Sequence, residues 1–471
     1  MEQQLFEKIL HLLKIEDKKS IVKQKENKKT IESTAEFKAL EDKMYEMCST
    51  EQLYEIVEAN IKSIDVVKLC KSLIDKTPLK PKYIYLIATN FKNAPVDILA
   101  DAIIKTGNAE YIYKFAKNIK DAPTEKLAIA LSKTKAINYI TWFAQDFEDA
   151  PVDMLANVVG ESGNSEFILY FASRVKGAPI EMLAKKLIET KDTKRIYDFA
   201  NEVKEAPIRE LAEAICQSEN IEYIYSFAKN INNAPVDILA EAICKLGEAK
   251  HIYSFAKNIK DAPIAILAEA ICKTGDAEYI YEFMEKIKNA PIDILADGII
   301  KTNDAEYIYL LKYYIKKSSS ITVNILADAI CKTENAQYIY EFAADVKNAP
   351  IDILTDAIIQ TKDSEYISKF IITIENADTQ KLVKALIQIG DVEYICCIAE
   401  YLENFDRYLH QIYTSFDEND LLKIIEAFNK NPNVSYFINV EHDENGKIKF
   451  VDEDKSKLLD DFINTSYSIK D

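Results

Sequence analysis

GDAEYIYEFMEKIKNAPIDILADGIIKT, residues Gly275 to Thr302, decides the fold. Its local signals divide it into two short helices. Asp276 is a good N-cap, and Gly275 before it suits the left-handed residue that ends the preceding helix. From Ala277 onward, Ile280, Phe283, Met284 and Ile287 fall at i, i+3, i+4 and i+7, one apolar face of a first helix. Asn289-Ala290-Pro291 restarts the chain, because proline is tolerated in the first turn of a helix and poorly anywhere later. The spacing predicts a second helix from Pro291 to Lys301. Ile292, Ile294, Leu295, Ala296, Ile299 and Ile300 make it apolar around most of its circumference, and so the more buried of the two.

Outward from this stretch the same pattern repeats. The proline of Ala-Pro stands at Pro95, Pro123, Pro151, Pro179, Pro207, Pro235, Pro263 and Pro291, a period of 28 residues without drift. Pro350 follows 59 residues after Pro291, so one unit carries three extra residues. Alignment puts them near 317–321, at Ser318-Ser319-Ser320, where a surface loop absorbs an insertion cheaply. Weaker copies lie at Ser63 to Ile74 and Ala377 to Ile389. Helices of three turns are marginal alone, so each unit must stack on its neighbours. The expectation is an all-α chain, an α-solenoid of 28-residue two-helix repeats, about 11–12 units over residues 51–406. Residues 1–50 read as an N-terminal helical cap (Leu5, Ile9, Leu10, Leu12, Leu13) with a charged linker, Lys18 to Lys29. Residues 407–471 read as a small mixed C-terminal cap with a β-hairpin over 434–451 around Asn445-Gly446, and a last helix from about Asp454 to Phe462.

In plan the chain resembles the tetratricopeptide, pentatricopeptide and HEAT class of helical-repeat proteins. The period is shorter than theirs and the tetratricopeptide Trp-Leu-Gly-Tyr pattern is absent, Trp142 being the only tryptophan. No functional residue is therefore carried over.

Composition fits this plan. Nine glycines in 471 residues are too few for the turns of a sandwich, a propeller or a multi-loop α/β enzyme. With 59 basic and 77 acidic residues the net charge is −18, which repels phosphate backbones and anionic lipid. Only Arg174, Arg195, Arg209 and Arg407 are arginines, a further mark against nucleic acid. No uncharged stretch is long enough to span a bilayer, and the N-terminus lacks the basic and apolar regions of a secretory signal. A cytoplasmic location is expected.

Candidate chemistry mostly dissolves into the repeat. Cys216, Cys244, Cys272 and Cys331 occupy one position, where other units place Ile104, Ile188, Ile300 and Ile359, so they read as core thiols in a reducing compartment. His11, His251, His410 and His442 form no metal pattern. Glu441 to Asp452 carries oxygen donors at EF-hand positions around Gly446, but its first and twelfth residues depart from that loop and the flank alternates like a strand, so the hairpin reading is preferred. No catalytic residue, metal or cofactor is expected, and the chain does not read as an enzyme.

The informative columns are polar. Tyr113, Lys117 and Lys120 lie at i, i+4 and i+7, on a face turned from the core of Ile112, Phe115 and Ile119. The tyrosine recurs as Tyr85, Tyr197, Tyr225, Tyr253, Tyr281, Tyr309 and Tyr340, and the middle lysine as Lys229 and Lys257. Tyrosine with lysine is an interface composition. Tyr113, Lys117, Tyr197, Tyr225, Lys229, Tyr253, Lys257, Tyr281, Tyr309 and Tyr340 are thus the candidate partner-binding residues of a non-catalytic scaffold for a protein or peptide. The bland account is that each ring packs across to the next repeat. The alternative function is a single-stranded RNA reader of one base per repeat, for which stacked tyrosines and lysines suit the chemistry. An acidic ladder on the second helices, Asp97, Asp153, Asp237, Asp293 and Asp352, reads as a solvated face.

Overall fold

A computed structural model describes residue 45, residues 48–58, 65–76, 80–402 and 405–432, together with 438, 440–442 and 448–450. Most of the N-terminal cap, the 443–447 connection of the hairpin and the last helix lie outside the described residues. The chain is an α-solenoid of paired short helices that divides into two compact units, 1–239 and 240–471. In the first unit, Ile137–Asp146 packs on its own partner Val152–Glu161 and on the next first helix, Ser165–Arg174, while Val152–Glu161 packs on Ile180–Glu189. In the second unit the same scheme joins Ala277–Lys286 to Ile292–Thr302 and to Ala249–Asn258, and Ile264–Thr274 to Ile292–Thr302.

One phenylalanine in most repeats anchors the core, replaced by Ile87, Leu311 and Ile398 in three. Phe115, Phe143, Phe171, Phe199 and Phe227 in the first unit, and Phe255, Phe283, Phe342 and Phe370 in the second, are fully buried. Across the seam each second helix supplies a leucine and, one turn on, an isoleucine, leucine or valine, such as Leu295 and Ile299, both without solvent exposure.

The helix ends follow from side chains. Asp276 accepts the Tyr279 amide at 3.1 Å, and Gly275 takes φ 74°, as expected. A hydroxyl column adds to this. Thr274 donates to the Ile271 carbonyl at 2.6 Å and accepts the Asp276 amide at 3.2 Å, and Thr106, Thr190, Thr302, Thr333 and Thr361 each make the same pair of bonds. Pro291 is the N-cap and not the first helical residue. The helix runs Ile292–Thr302, and the Pro291 carbonyl accepts the Leu295 amide at 3.2 Å from a residue with φ −75° and ψ 88°. A capping residue needs no amide hydrogen, so proline fits there without loss. Glycine is scarce because asparagine, aspartate, lysine and glutamate take the left-handed turn positions, among them Asn289 (φ 59°), Asp261 (φ 59°) and Glu205 (φ 61°).

Two expectations need correction, and the unit with three extra residues departs from the others. The second helix is not covered all round: Leu295, Ala296, Gly298 and Ile299 are buried, whereas Ile294 is 38% exposed. Around the inserted serines, which lie in the segment between the two helices, the unit also changes. The first helix of that unit stops at Ala305–Leu310 and passes into a 3-10 turn, Leu311–Tyr314, and Asp293 gathers the hydroxyls of Ser318, Ser319 and Ser320. The repeat cysteines are half-buried and not core; only Cys48 and Cys70 are buried, and all eight thiols are free. Cys272 Sγ lies 3.5 Å from the Ile294 carbonyl of the next second helix. Burial there pushes the thiol up to about 11. Side-chain volumes across that seam compensate: a Cβ on Gly298 would stand 2.9 Å from Cys272 Cβ, and one on Gly160 would stand 2.9 Å from Lys186 Cγ.

At the C-terminal end, Phe405 and Phe428 are buried against each other at 6.1 Å between ring centroids. Beyond the helix Glu418–Asn429, β1 (Val440–His442) pairs antiparallel with β2 (Ile448–Phe450), Val440 opposite Phe450 and His442 opposite Ile448. The calcium-like loop between these strands lies outside the described residues.

Candidate partner-binding surface

The tyrosine column sits where helix geometry puts it. At about 100° per residue, the two tyrosines of Tyr-Ile-Tyr stand on opposite flanks of a buried isoleucine. Ile112, Ile224, Ile280 and Ile339 have no exposure, so the flanking rings are held at the edge of the seam between first helices. The second tyrosine of one repeat then meets the first tyrosine of the next. Ring centroids are 5.9 Å apart for Tyr113 and Tyr139, 5.7 Å for Tyr197 and Tyr223, and 6.0 Å for Tyr253 and Tyr279. They are 5.8 Å apart for Tyr281 and Tyr307, 5.6 Å for Tyr309 and Tyr338, and 6.0 Å for Tyr340 and Tyr366. These first tyrosines are not among the expected site residues; their signal is the Tyr-Ile-Tyr triplet itself.

The hydroxyls are also engaged. Tyr197 accepts from Asn230 at 3.1 Å and Tyr340 from Thr373 at 3.1 Å. Tyr113 donates to Asp146, and Tyr309 to Asp345. Tyr281 meets Tyr314 edge to face at 6.1 Å, and its burial beside that ring pushes its hydroxyl up to about 12. The candidate tyrosines are therefore half-buried, Tyr253 fully so, and not turned clear of the core. Their rings and hydroxyls bridge consecutive repeats.

Lysines edge this column. Lys117 Nζ lies 2.7 Å from Asp146 Oδ2 and 2.9 Å from the Tyr113 hydroxyl, and the Asp146 bond holds Lys117 above the ordinary lysine range. Burial of Asp146 is outweighed by the bonds from Lys117 and Tyr113, so its carboxyl stays below the usual value. Lys257 sits 5.1 Å over the Tyr253 ring and Lys229 5.8 Å over that of Tyr225. Lys120, one turn beyond Lys117, is exposed.

A residue absent from the expected set stands more exposed than these tyrosines. Trp142, two residues after buried Ile140, points about 200° from it and is 40% exposed. Its ring lies 5.2 Å from Tyr139, nearly perpendicular, and 6.1 Å from Tyr113. Tyr170 holds the equivalent position in the next repeat, 39% exposed, its hydroxyl donating to Gln145 at 3.2 Å. Tyr113 and Lys117 thus border an exposed aromatic patch in the first unit.

Among the described residues no group of three histidine, cysteine, aspartate or glutamate side chains is placed to hold a metal, and no helix is long and apolar enough to cross a membrane.

No family model matches the chain, and no curated protein does. Among solved structures it is similar to an engineered protein at 14% identity, covering 80% of this chain and 94% of that one, with a TM-score of 0.14. A circular tandem repeat protein of novel repeat topology matches at 12% identity over 91% of this chain and 95% of its own, with a TM-score of 0.10. SYS-1 matches at 12% identity over 91% and 85%, with a TM-score of 0.12. Likeness at these scores says nothing of function.

Proposed function

We propose that this chain is a non-catalytic scaffold that binds a protein or peptide, and that the partner lies across the first helices of the 1–239 unit, over Tyr113, Lys117, Tyr139, Trp142 and Tyr170. The observation that carries the reading is Trp142, the sole tryptophan, left 40% exposed beside the rings of Tyr139 and Tyr113, with Tyr170 39% exposed at the equivalent position of the next repeat. Tryptophan and tyrosine anchor protein interfaces because they supply large rigid contact area, and a half-exposed indole in water is a cost that a partner removes. RNA is the poorer occupant. Tyrosine rings that could stack on bases already face other tyrosines, Lys117 is paired with Asp146, and the chain carries −18 overall.

The sole tryptophan reports on its own site. Partners recovered from native lysate, with and without nuclease, are titrated against the purified chain while Trp142 emission and its quenching by acrylamide are followed. The reading expects a nuclease-resistant polypeptide that shifts the emission to the blue and protects the indole. It also expects Trp142→Ala to weaken capture at least tenfold with an unchanged melting temperature. Capture that vanishes with nuclease, or that ignores Trp142→Ala, contradicts it.

A further inference from the structure

A second surface, on the second helices of the 240–471 unit, is independent of the one above. Ile266, Ile294, Ile325 and Ile353 hold the same position in four successive repeats and are 47%, 38%, 44% and 46% exposed. Scattered exposed apolar residues are ordinary, but one column of four branched side chains is an apolar stripe. Ile264–Thr274 packs on Ile292–Thr302, and Val323–Lys332 on Ile351–Thr361, so Ile266 with Ile294, and Ile325 with Ile353, are carried on neighbouring helices. Glu269, Asp297 and Asp328 stand exposed one turn beyond the first three isoleucines, and among the described residues none of them is in an ion pair. Asp352 borders the stripe on its other side and is also exposed.

We propose that this stripe is a docking surface for a basic amphipathic helix. Neighbouring packed helices are about 8–10 Å apart, and a helix laid along the stripe repeats its apolar residues at i and i+7, about 10.5 Å. Its lysines or arginines, along one side of that apolar seam, meet Glu269, Asp297 and Asp328, and at one end of the other side Asp352. A second copy of the chain is disfavoured as occupant, since it would set this carboxylate column against a chain that also carries −18; anionic lipid and nucleic acid are repelled for the same reason.

The test uses the full chain and two labelled synthetic peptides of about 21 residues, both with leucine in every heptad seam position, one flanked by lysines and the other by glutamates. Fluorescence anisotropy is expected to show the lysine peptide binding at least tenfold more tightly, with the preference falling as salt rises. Serine at all four isoleucine positions is expected to weaken that binding at least tenfold while circular dichroism is unchanged. Glu269→Lys, Asp297→Lys and Asp328→Lys together should transfer the preference to the glutamate peptide, which keeps the test decisive if the serine variant fails to fold. Equal binding of both peptides, full binding by a folded serine variant, or a self-association that the serine substitutions abolish would overturn the proposal.

Discussion

Thr355 is a polar residue in a column that wants none. Ten residues of the other second helices, from Ala100 to Ala327 and on to Val383, are apolar at this position, whereas Thr355 is 1% exposed with its hydroxyl unpartnered. A buried donor without a partner costs more than the methyl that would replace it. Thr355→Val should therefore stabilise the chain by about 1 kcal/mol, read as a raised urea midpoint. Asp293 shows the opposite case, a carboxylate fully used. Hydroxyls from Ser318 and Ser319, and then Ser320, hold its carboxyl down to about 2. Because the folded value lies below that of an unfolded aspartate, its contribution is complete above about pH 4 and is lost as pH falls through 2. Hydrogen exchange at Ser320 and Ile321 should quicken between pH 4 and 2 relative to a control repeat; exchange that ignores pH there would mean that the serines are held by something else.

The helix is the scale at which the sequence is most legible. The 28-residue proline series, the aspartate and asparagine caps and the phenylalanine face all read through to structure, since each is a local signal with a local consequence. The tyrosine column is half legible. Its phase relative to Ile112 or Ile280 is readable, but the partner of each ring lies one repeat on, and a single helix cannot show which rings meet. Exposure of Ile294 is not legible at all, because apolar composition tells what could be buried and not how much neighbouring surface exists to bury it. For tyrosines that bridge repeats, Tyr253→Ala, at a ring 8% exposed, should cost about 3 kcal/mol, while Tyr253→Phe, which keeps the ring, should cost under about 1 kcal/mol. Equal effects of the two would place the stabilisation in the hydroxyl. Deleting Ser318-Ser319-Ser320 restores the 28-residue spacing but strips Asp293 of its partners and asks the broken helix after Leu310 to re-form around Lys312, whose side chain is 14% exposed. The deletion should lower the melting temperature and not leave it unchanged, as a simple loop would.

At the scale of the molecule, repetition explains how a chain of short paired helices can present long, regular columns of side chains. Those columns divide their labour. Tyrosine pairs join neighbouring repeats, and the surface we propose for a partner is where a column breaks its own pattern, at Trp142 and Tyr170 on the first helices of one unit. The central claim, that this surface binds a polypeptide, is tested most directly by placing a photo-cross-linking benzoylphenylalanine at position 142 and, separately, at the exposed Glu210 on a second helix of the same unit. After irradiation in native lysate the account predicts a discrete protease-sensitive, nuclease-resistant adduct from position 142 and none from position 210. An adduct removed by nuclease, or equal labelling from both positions, would contradict it.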